Sequence, residues 1–258
     1  MNNSPLKKIS KDTIGLDSER VSELIPIVYE DEYYVVVDKP TKLLVHRTAM
    51  SRDTIFLLQE LRNQLGYHVY PVHRLDRPTS GLIIFGKSKE AHLKMSEIFR
   101  ERQITKTYWA VVRGWCENGT CDKSLRKVDD RGDFMGARVD AITHYTELAR
   151  YELPFFVDKY PMTRYALAEV KPETGRYHQI RRHFKSLSHP LLGDTKYGKP
   201  VHNSFLRETI GLDRLMLIAN RLQFSHPYTQ EAIDIKLPKN EHFEQFINWA
   251  ASYQVESE

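Results

Sequence analysis

The stretch HRLDRPTSG, His73 to Gly81, sets one carboxylate between two arginines in a turn-rich segment that follows Tyr70-Pro71-Val72. Two readings are open from these nine residues. An Asp flanked by Arg is what a solvated ion pair looks like, and Pro78-Thr79-Ser80-Gly81 suits a loop between strands. A reacting carboxylate held among cations has the same composition, so the surrounding chain has to decide between them.

Upstream, Tyr29 to Asp38 reads as a hairpin turned at Asp31-Glu32, with Tyr33 to Val37 as a β-branched and aromatic run that Lys39-Pro40 ends. Leu57, Leu58, Leu61 and Leu65 have the three-four spacing of an amphipathic helix closed by Gly66. Downstream, Ser88 caps a helix predicted over Lys89 to Arg102, with Ala91, Met95, Ile98 and Phe99 as its buried stripe. Tyr108 to Val112 reads as a buried strand. Between Gly114 and Lys159 the pattern weakens, with Gly119, Gly132 and Gly136 among charges, which predicts a loop-rich insertion carrying short strands around Ala141 to Tyr151. A strand over Tyr165 to Val170, a turn at Pro172 to Gly175 and a helix striped by Ile180, Phe184 and Leu187 follow, with Arg181 and Lys185 beside the stripe. Leu222 to Leu237 reads as a hairpin around His226-Pro227-Tyr228-Thr229, and Phe243, Phe246, Ile247 and Ala250 mark a C-terminal helix. Strands and helices mix without a regular βαβ alternation, so the fold class is α+β with a mainly antiparallel sheet.

Composition narrows the class further. The 258 residues are 41% apolar and 28% charged, and no apolar run approaches the roughly 18 residues of a membrane-spanning helix. Met1 to Glu23 lacks the apolar segment of an export signal, so residues 1–24 are expected to be a mobile extension ahead of one catalytic domain over 25–258, in a cytoplasmic monomer. Cys116 and Cys121 lack the further ligands of a structural zinc site and read as reduced thiols. From Lys171 to Pro200 four Lys and three Arg face one Glu and one Asp, a balance of +5 within a net charge of +4. A solvated basic face accounts for this, as does a polyanion partner; His178, His183 and His189 in the same stretch, with 14 Tyr and 11 Phe in the chain, favour RNA.

HRLDRPTSG resembles the catalytic motif of the RluA-type pseudouridine synthases, and further motifs of that family follow in order. Lys106-Thr107-Tyr108 opening the run to Gly114 is similar to its K-x-Y strand. Thr174 to Arg181, with His189-Pro190-Leu191-Leu192-Gly193-Asp194 and Tyr197-Gly198, is similar to its third motif, and Lys39-Pro40 through Leu44-Val45-His46 resembles the opening of its catalytic domain. Within the family, Val72 to Gly81, Tyr160 to Tyr165, Arg181-Arg182-His183 and Arg214 to Leu217 are most similar to the branch acting on tRNA at uridine 65. The segment ahead of Ile27 is too short for the S4 RNA-binding domain of many relatives. Two positions depart from the family: Lys42, usually Gly, and Ile218, usually His.

The resemblance implies a cofactor-free and metal-free isomerisation in which a uridine is flipped out, its glycosidic bond is broken, the base is turned, and a C–C bond is formed. Asp76 would be the essential carboxylate, attacking the sugar or assisting its deprotonation. Arg181 would be the cation that keeps it ionised. Tyr108 would stack on the uracil or help remove the C5 proton, Ile180 and Leu217 would wall the uracil pocket, and Arg74 would fill the gap left by the flipped base. His73, Thr79, Ser80 and Gly81 would hold the loop's shape. Lys171, Arg176, Arg182 and Lys185 are the phosphate-contact candidates. Three rivals are an rRNA-directed synthase, a non-catalytic RNA-binding module, and a metal-dependent hydrolase built on the 11 His, the last opposed by the five-residue spacing of His178 and His183.

Overall fold

Asp31 turns the first hairpin: its Oδ1 accepts the backbone N–H groups of Tyr33 and Tyr34 at 2.7 Å each, and β1 (Ile27–Glu30) pairs antiparallel with β2 (Tyr34–Lys39). The computed structural model describes residues 24–47, 51, 53–129, 133–238 and 240–256; apart from Leu24, the extension expected over 1–24 lies outside them. Helix α1 (Leu57–Leu65) buries Leu57 and Leu61 and ends at Gly66, whose φ of 75° is the left-handed value that favours glycine. After β3 (Tyr70–Pro71) and β4 (Ser80–Gly86), Ser88 Oγ accepts the Ala91 N–H at 3.0 Å and caps α2 (Lys89–Arg100). That helix stops short of the predicted Arg102, which adopts φ 59° and turns the chain into β5 (Ile104–Arg113).

The expected loop-rich insertion is more regular than its sequence suggests. It contains β6 (Gly119–Asp122), β7 (Leu125–Val128), β8 (Phe134–Val139) and the 12-residue β9 (Ile142–Leu153), which pairs with β10 (Thr163–Pro172) along its whole length. Most of β9 is only partly buried and its apolar residues are interspersed with polar ones, so no apolar run marks it and its backbone ladder with β10 holds it. In α3 (Gln179–Ser186) Ile180 and Phe184 are buried as predicted, whereas Leu187 lies just past the last turn. Helix α4 (Pro200–Ile210) had no counterpart in the sequence reading. Proline opens it, Gly211 closes it, and it buries His202 and Leu206. The chain ends with β11 (Leu217–Ser225), β12 (Ala232–Lys236), α5 (Glu241–Ala250) and β13 (Gln254–Val255).

The main sheet runs β1-β2-β4-β11-β5-β10-β9-β13, with β12 beside β11, β3 beside β4 and β6 beside β9; β7 and β8 pair separately. Its pairs are antiparallel except β4–β11, where Ser80 and Gly81 face Ile218 and Ala219 in parallel. This is the α+β, mainly antiparallel architecture read from the sequence. One face of the sheet carries a continuous core that includes Met95 of α2, Leu206 of α4 and Phe243 and Phe246 of α5. The other face carries two smaller cores, one built on Leu57 and Leu61 of α1 and one on Ile180 and Phe184 of α3. Tyr108 of β5 packs against both. Leu75, buried in the α1 core, fixes the neighbouring Asp76 next to the gap between them. Gly81 is required where this loop enters the sheet: its φ is 108°, and a Cβ there would lie 2.3 Å from the Ala219 carbonyl oxygen.

Candidate active site

The loop bearing Asp76 is tied down on every side. Thr79 N–H donates to the Asp76 carbonyl at 3.1 Å, and the Thr41 hydroxyl donates to the Pro78 carbonyl at 2.8 Å. His73 accepts the Ile84 N–H at 3.1 Å and stacks on Phe99 with ring centroids 4.6 Å apart, while Arg214 donates to Ser80 Oγ. The fully buried Lys39 donates to the carbonyls of Pro40, Leu43 and Arg77 at 2.8, 2.7 and 3.3 Å, so it clamps the strand end to the loop. Burial draws its pKa down to about 7, with the charge of Asp76 opposing that shift. These contacts give His73, Thr79, Ser80 and Gly81 the shape-holding surroundings expected of them.

Asp76 lies 105 residues from Arg181 in sequence, yet Arg181 Nη1 donates to its Oδ2 at 3.2 Å. The same guanidinium grips Asp194 with two hydrogen bonds, Nε to Oδ2 at 2.7 Å and Nη2 to Oδ1 at 2.9 Å. Asp194 also accepts the N–H groups of Lys196 and Tyr197 at 2.9 Å each, and α4 holds its loop through Asn203, which donates to the Asp194 carbonyl at 3.1 Å. Burial opposes the charge on both partners, but their mutual hydrogen bonds win: Asp194 is held below the ordinary carboxylate range and Arg181 above its ordinary value. Arg181 is therefore a fixed cation aimed at Asp76. At Asp76 the balance goes the other way. Burial raises its pKa, and Arg181 first, then Arg74 and Lys39, pull it back without reversing the direction. The carboxylate thus depends on its cations to ionise.

Asp76 and Arg181 line a cavity of about 110 Å³ together with Arg74, Lys106, Tyr108, Ile180 and Leu217, a space suited to one small ring rather than a drug-sized ligand. Burial and then the Asp76 charge push the Tyr108 phenol up, which keeps it neutral. Lys106 is drawn down to about 8 by burial and by Arg102. Arg74 is exposed at the rim. His178 also lines the cavity, its Nε2 3.7 Å from Asp76 Oδ2 and its Nδ1 3.0 Å from the Tyr197 hydroxyl.

The structure brings together Asp76, Tyr108, Arg181, Arg74, Ile180 and Leu217, all named from the sequence. The phosphate candidates scatter. Arg176 lines the cavity and donates to the Asp140 carbonyl at 3.0 Å; Arg182 donates to the carbonyls of Tyr177 and Arg126 at 3.2 and 3.1 Å; Lys185 is exposed on α3. Lys171 departs from the sequence reading. Strand alternation puts it with Tyr165 and Leu167 on the sheet face opposite Ala168 and Val170, and its ammonium lies 2.6 Å from Glu169. Lys39, His178, Asp194 and Tyr197 also hold the site, a role the sequence reading does not assign to them. The available signal was their place inside the quoted motifs, where a buried Asp such as Asp194 demands a cation. His183 bonds Thr143 Oγ1 at 2.9 Å and the Lys123 carbonyl at 3.0 Å, so its two ring nitrogens are taken up by the protein. Among the described residues no three His, Cys, Asp or Glu side chains group to hold a metal ion, and no helix is long and apolar enough to cross a membrane.

The RNA pseudouridylate synthase family matches residues 33–186. The chain belongs to that family. This RluA-type synthase is 44% identical over 231 residues to tRNA pseudouridine synthase C of Vibrio vulnificus, covering 87% of this chain and 94% of that one. The same enzyme of Pasteurella multocida is 44% identical over 231 residues, covering 87% and 95%. In fold, the synthase matches human RNA pseudouridylate synthase domain containing 4 with a TM-score of 0.67 at 23% identity, covering 90% of this chain and 95% of that one. Human RNA pseudouridylate synthase domain containing 1 gives a TM-score of 0.66 at 24% identity, with 83% of each chain covered. The protein is an RNA pseudouridine synthase, an isomerase.

Proposed function

We propose that this synthase isomerises uridine 65 of tRNA to pseudouridine with Asp76 as the essential carboxylate. The observation that carries the chemistry is Asp76 facing a fixed guanidinium, Arg181 Nη1 at 3.2 Å, in a ring-sized cavity. The choice of tRNA is supported by the Vibrio vulnificus and Pasteurella multocida relatives named tRNA pseudouridine synthase C, of whose lengths the match covers 94% and 95%. A stacked uridine cannot reach Asp76, so it leaves the helix, and the exposed guanidinium of Arg74 stacks and hydrogen-bonds where the base was. The uracil enters between Tyr108, Ile180 and Leu217.

Asp76 then breaks the N-glycosidic bond, by attack on the sugar or by assisting loss of a sugar proton. The detached uracil turns in the cavity and its C5 bonds to the sugar carbon; any proton taken from the sugar is returned to it, C5 loses one proton and N1 gains one, so atoms and electrons balance without a cofactor. The neutral Tyr108 phenol suits it to stack on the ring. Arg176 and Arg182, with Lys185, supply the phosphate attraction, read mainly as tRNA shape. Mapping pseudouridine in cellular tRNA and rRNA with and without the gene tests the proposal. Loss of the tRNA 65 modification alone is the expected result; loss confined to rRNA would overturn the choice of substrate.

A further inference from the structure

We infer that His178 is a positioning residue for the reacting carboxylate, presenting a neutral N–H from Nε2 to Asp76 Oδ2 and leaving Oδ1 for the sugar. The inference rests on the reading of Asp76 as the essential carboxylate. Three independent observations meet at this side chain. First, its backbone is left-handed, φ 50° and ψ 33°, at the residue that precedes α3, a conformation costly for a residue with a Cβ. Arg102 and Lys42 share this left-handed region in turns; at His178 it falls on a residue that lines the cavity with Asp76. Second, the ring is clamped: it stacks on Tyr177 with centroids 3.7 Å apart and meets Tyr197 edge-on at 5.6 Å, with Nδ1 3.0 Å from the Tyr197 hydroxyl. Third, Nε2 and Arg181 Nη1 approach the same oxygen of Asp76, at 3.7 and 3.2 Å.

The hydrogen-bond network assigns the proton. A Tyr197 hydroxyl that donates to Nδ1 leaves the proton on Nε2, facing a carboxylate; the other tautomer sets a lone pair against that carboxylate. The ring stays neutral throughout the working pH range. Burial first, then Arg181, Lys196 and Arg182, hold its pKa at about 3, with Asp194 opposing them. At 3.7 Å the contact to Asp76 is longer than a hydrogen bond, and contacts of this sort shorten when substrate closes the site. His178 therefore stabilises the carboxylate as a dipole, without adding a second full charge to the one Arg181 already supplies.

His178→Asn and His178→Gly accept the left-handed backbone and remove the imidazole. Both should keep or raise the thermal midpoint and keep tRNA affinity, yet lower single-turnover rate roughly 10- to 100-fold, the worth of a hydrogen bond to a charged group. The acid limb of the pH–rate profile should move to higher pH, since a carboxylate deprived of a donor is harder to ionise. His178→Gln, whose amide reaches toward the place of Nε2, should recover part of the rate. Asp76→Asn is assayed alongside. Full activity in that variant would defeat the reading of the site itself; an inactive Asp76→Asn with His178→Asn at full rate, or with its acid limb unmoved, would defeat the positioning role alone. Loss of rate in step with loss of stability would mark His178 as merely structural and overturn the inference as well.

Discussion

Replacing Arg181 with Met should destabilise the protein chiefly through Asp194, the carboxylate that does no chemistry. The structure decides this by exposure. Asp194 has 0% of its side-chain surface open and loses two short hydrogen bonds, whereas Asp76 is 25% open to the cavity and can hydrate when its 3.2 Å contact goes. Breaking a buried pair from one side costs about 3–5 kcal/mol, because a charge is left without its partner. For a chain of this size that is a fall in melting temperature of roughly 10 °C. Adding Asp194→Asn removes the orphaned charge, so the double variant should recover about 2–3 kcal/mol relative to the sum of the single changes. Activity should not recover, since Asp76 still lacks its cation. Urea denaturation of the four proteins, paired with single-turnover assays, measures both. Additive stabilities, or a double variant that regains the rate, would refute this division of labour.

Asp76→Asn should abolish turnover, with residual activity below about one thousandth of wild type, the equivalent of about 4 kcal/mol of barrier. It should also raise the melting temperature at pH 7.5. The folded pKa of Asp76 is raised, so its ionisation costs stability at neutral pH, and the gain should fade below the ordinary carboxylate range near pH 4. Burial holds His73 and His178 at about 3 and His202 at about 4. Their stabilising contribution is complete above the unfolded value near pH 6.5 and is lost as pH falls through the folded values, with a slope of at most about 4 kcal/mol per pH unit for three imidazoles. A urea midpoint that does not change between pH 7.5 and 5 would contradict this. Lys42 sits at φ 62°, and its pair with Asp213 at 3.4 Å is exposed, so Lys42→Gly should stabilise by roughly 1 kcal/mol in the same assay.

Most of the fold was legible because its elements carry local signals: Asp31 for the hairpin turn, Gly66 and Ser88 for helix ends, apolar spacing for α1, α2 and α5. The misses have physical causes. Strand β9 is mostly partly buried, with apolar and polar residues interspersed, so the sequence marks only short strands around Ala141 to Tyr151 and not the long ladder with β10. Helix α4 buries only His202 and Leu206 and lacks a strong stripe. Lys171 looked equivalent to Arg176 because charge counts ignore strand alternation, which sends its side chain to the other face. At the site, Asp76, Tyr108 and Arg181 were legible through their motifs. The tethers carry a weaker signal: Asp194 and His178 stand inside the quoted motifs, but only the fold shows Arg181 bonding two carboxylates and the His178 ring facing Asp76. The family departure at Lys42 is explained by its left-handed φ, which glycine adopts without strain. That at Ile218 lies in the continuous core, while its neighbour Leu217 lines the cavity.

Whether Asp76 converts a uridine of tRNA is tested most directly on purified RNA. Purified protein and its Asp76→Asn variant are incubated in EDTA with unmodified tRNA and with 23S rRNA transcripts, and pseudouridine is then mapped base by base. Wild type should modify uridine 65 of the tRNA without added metal or nucleotide, and the variant should modify nothing. Pseudouridine confined to the rRNA, or formed at that tRNA position by the variant, would contradict the account.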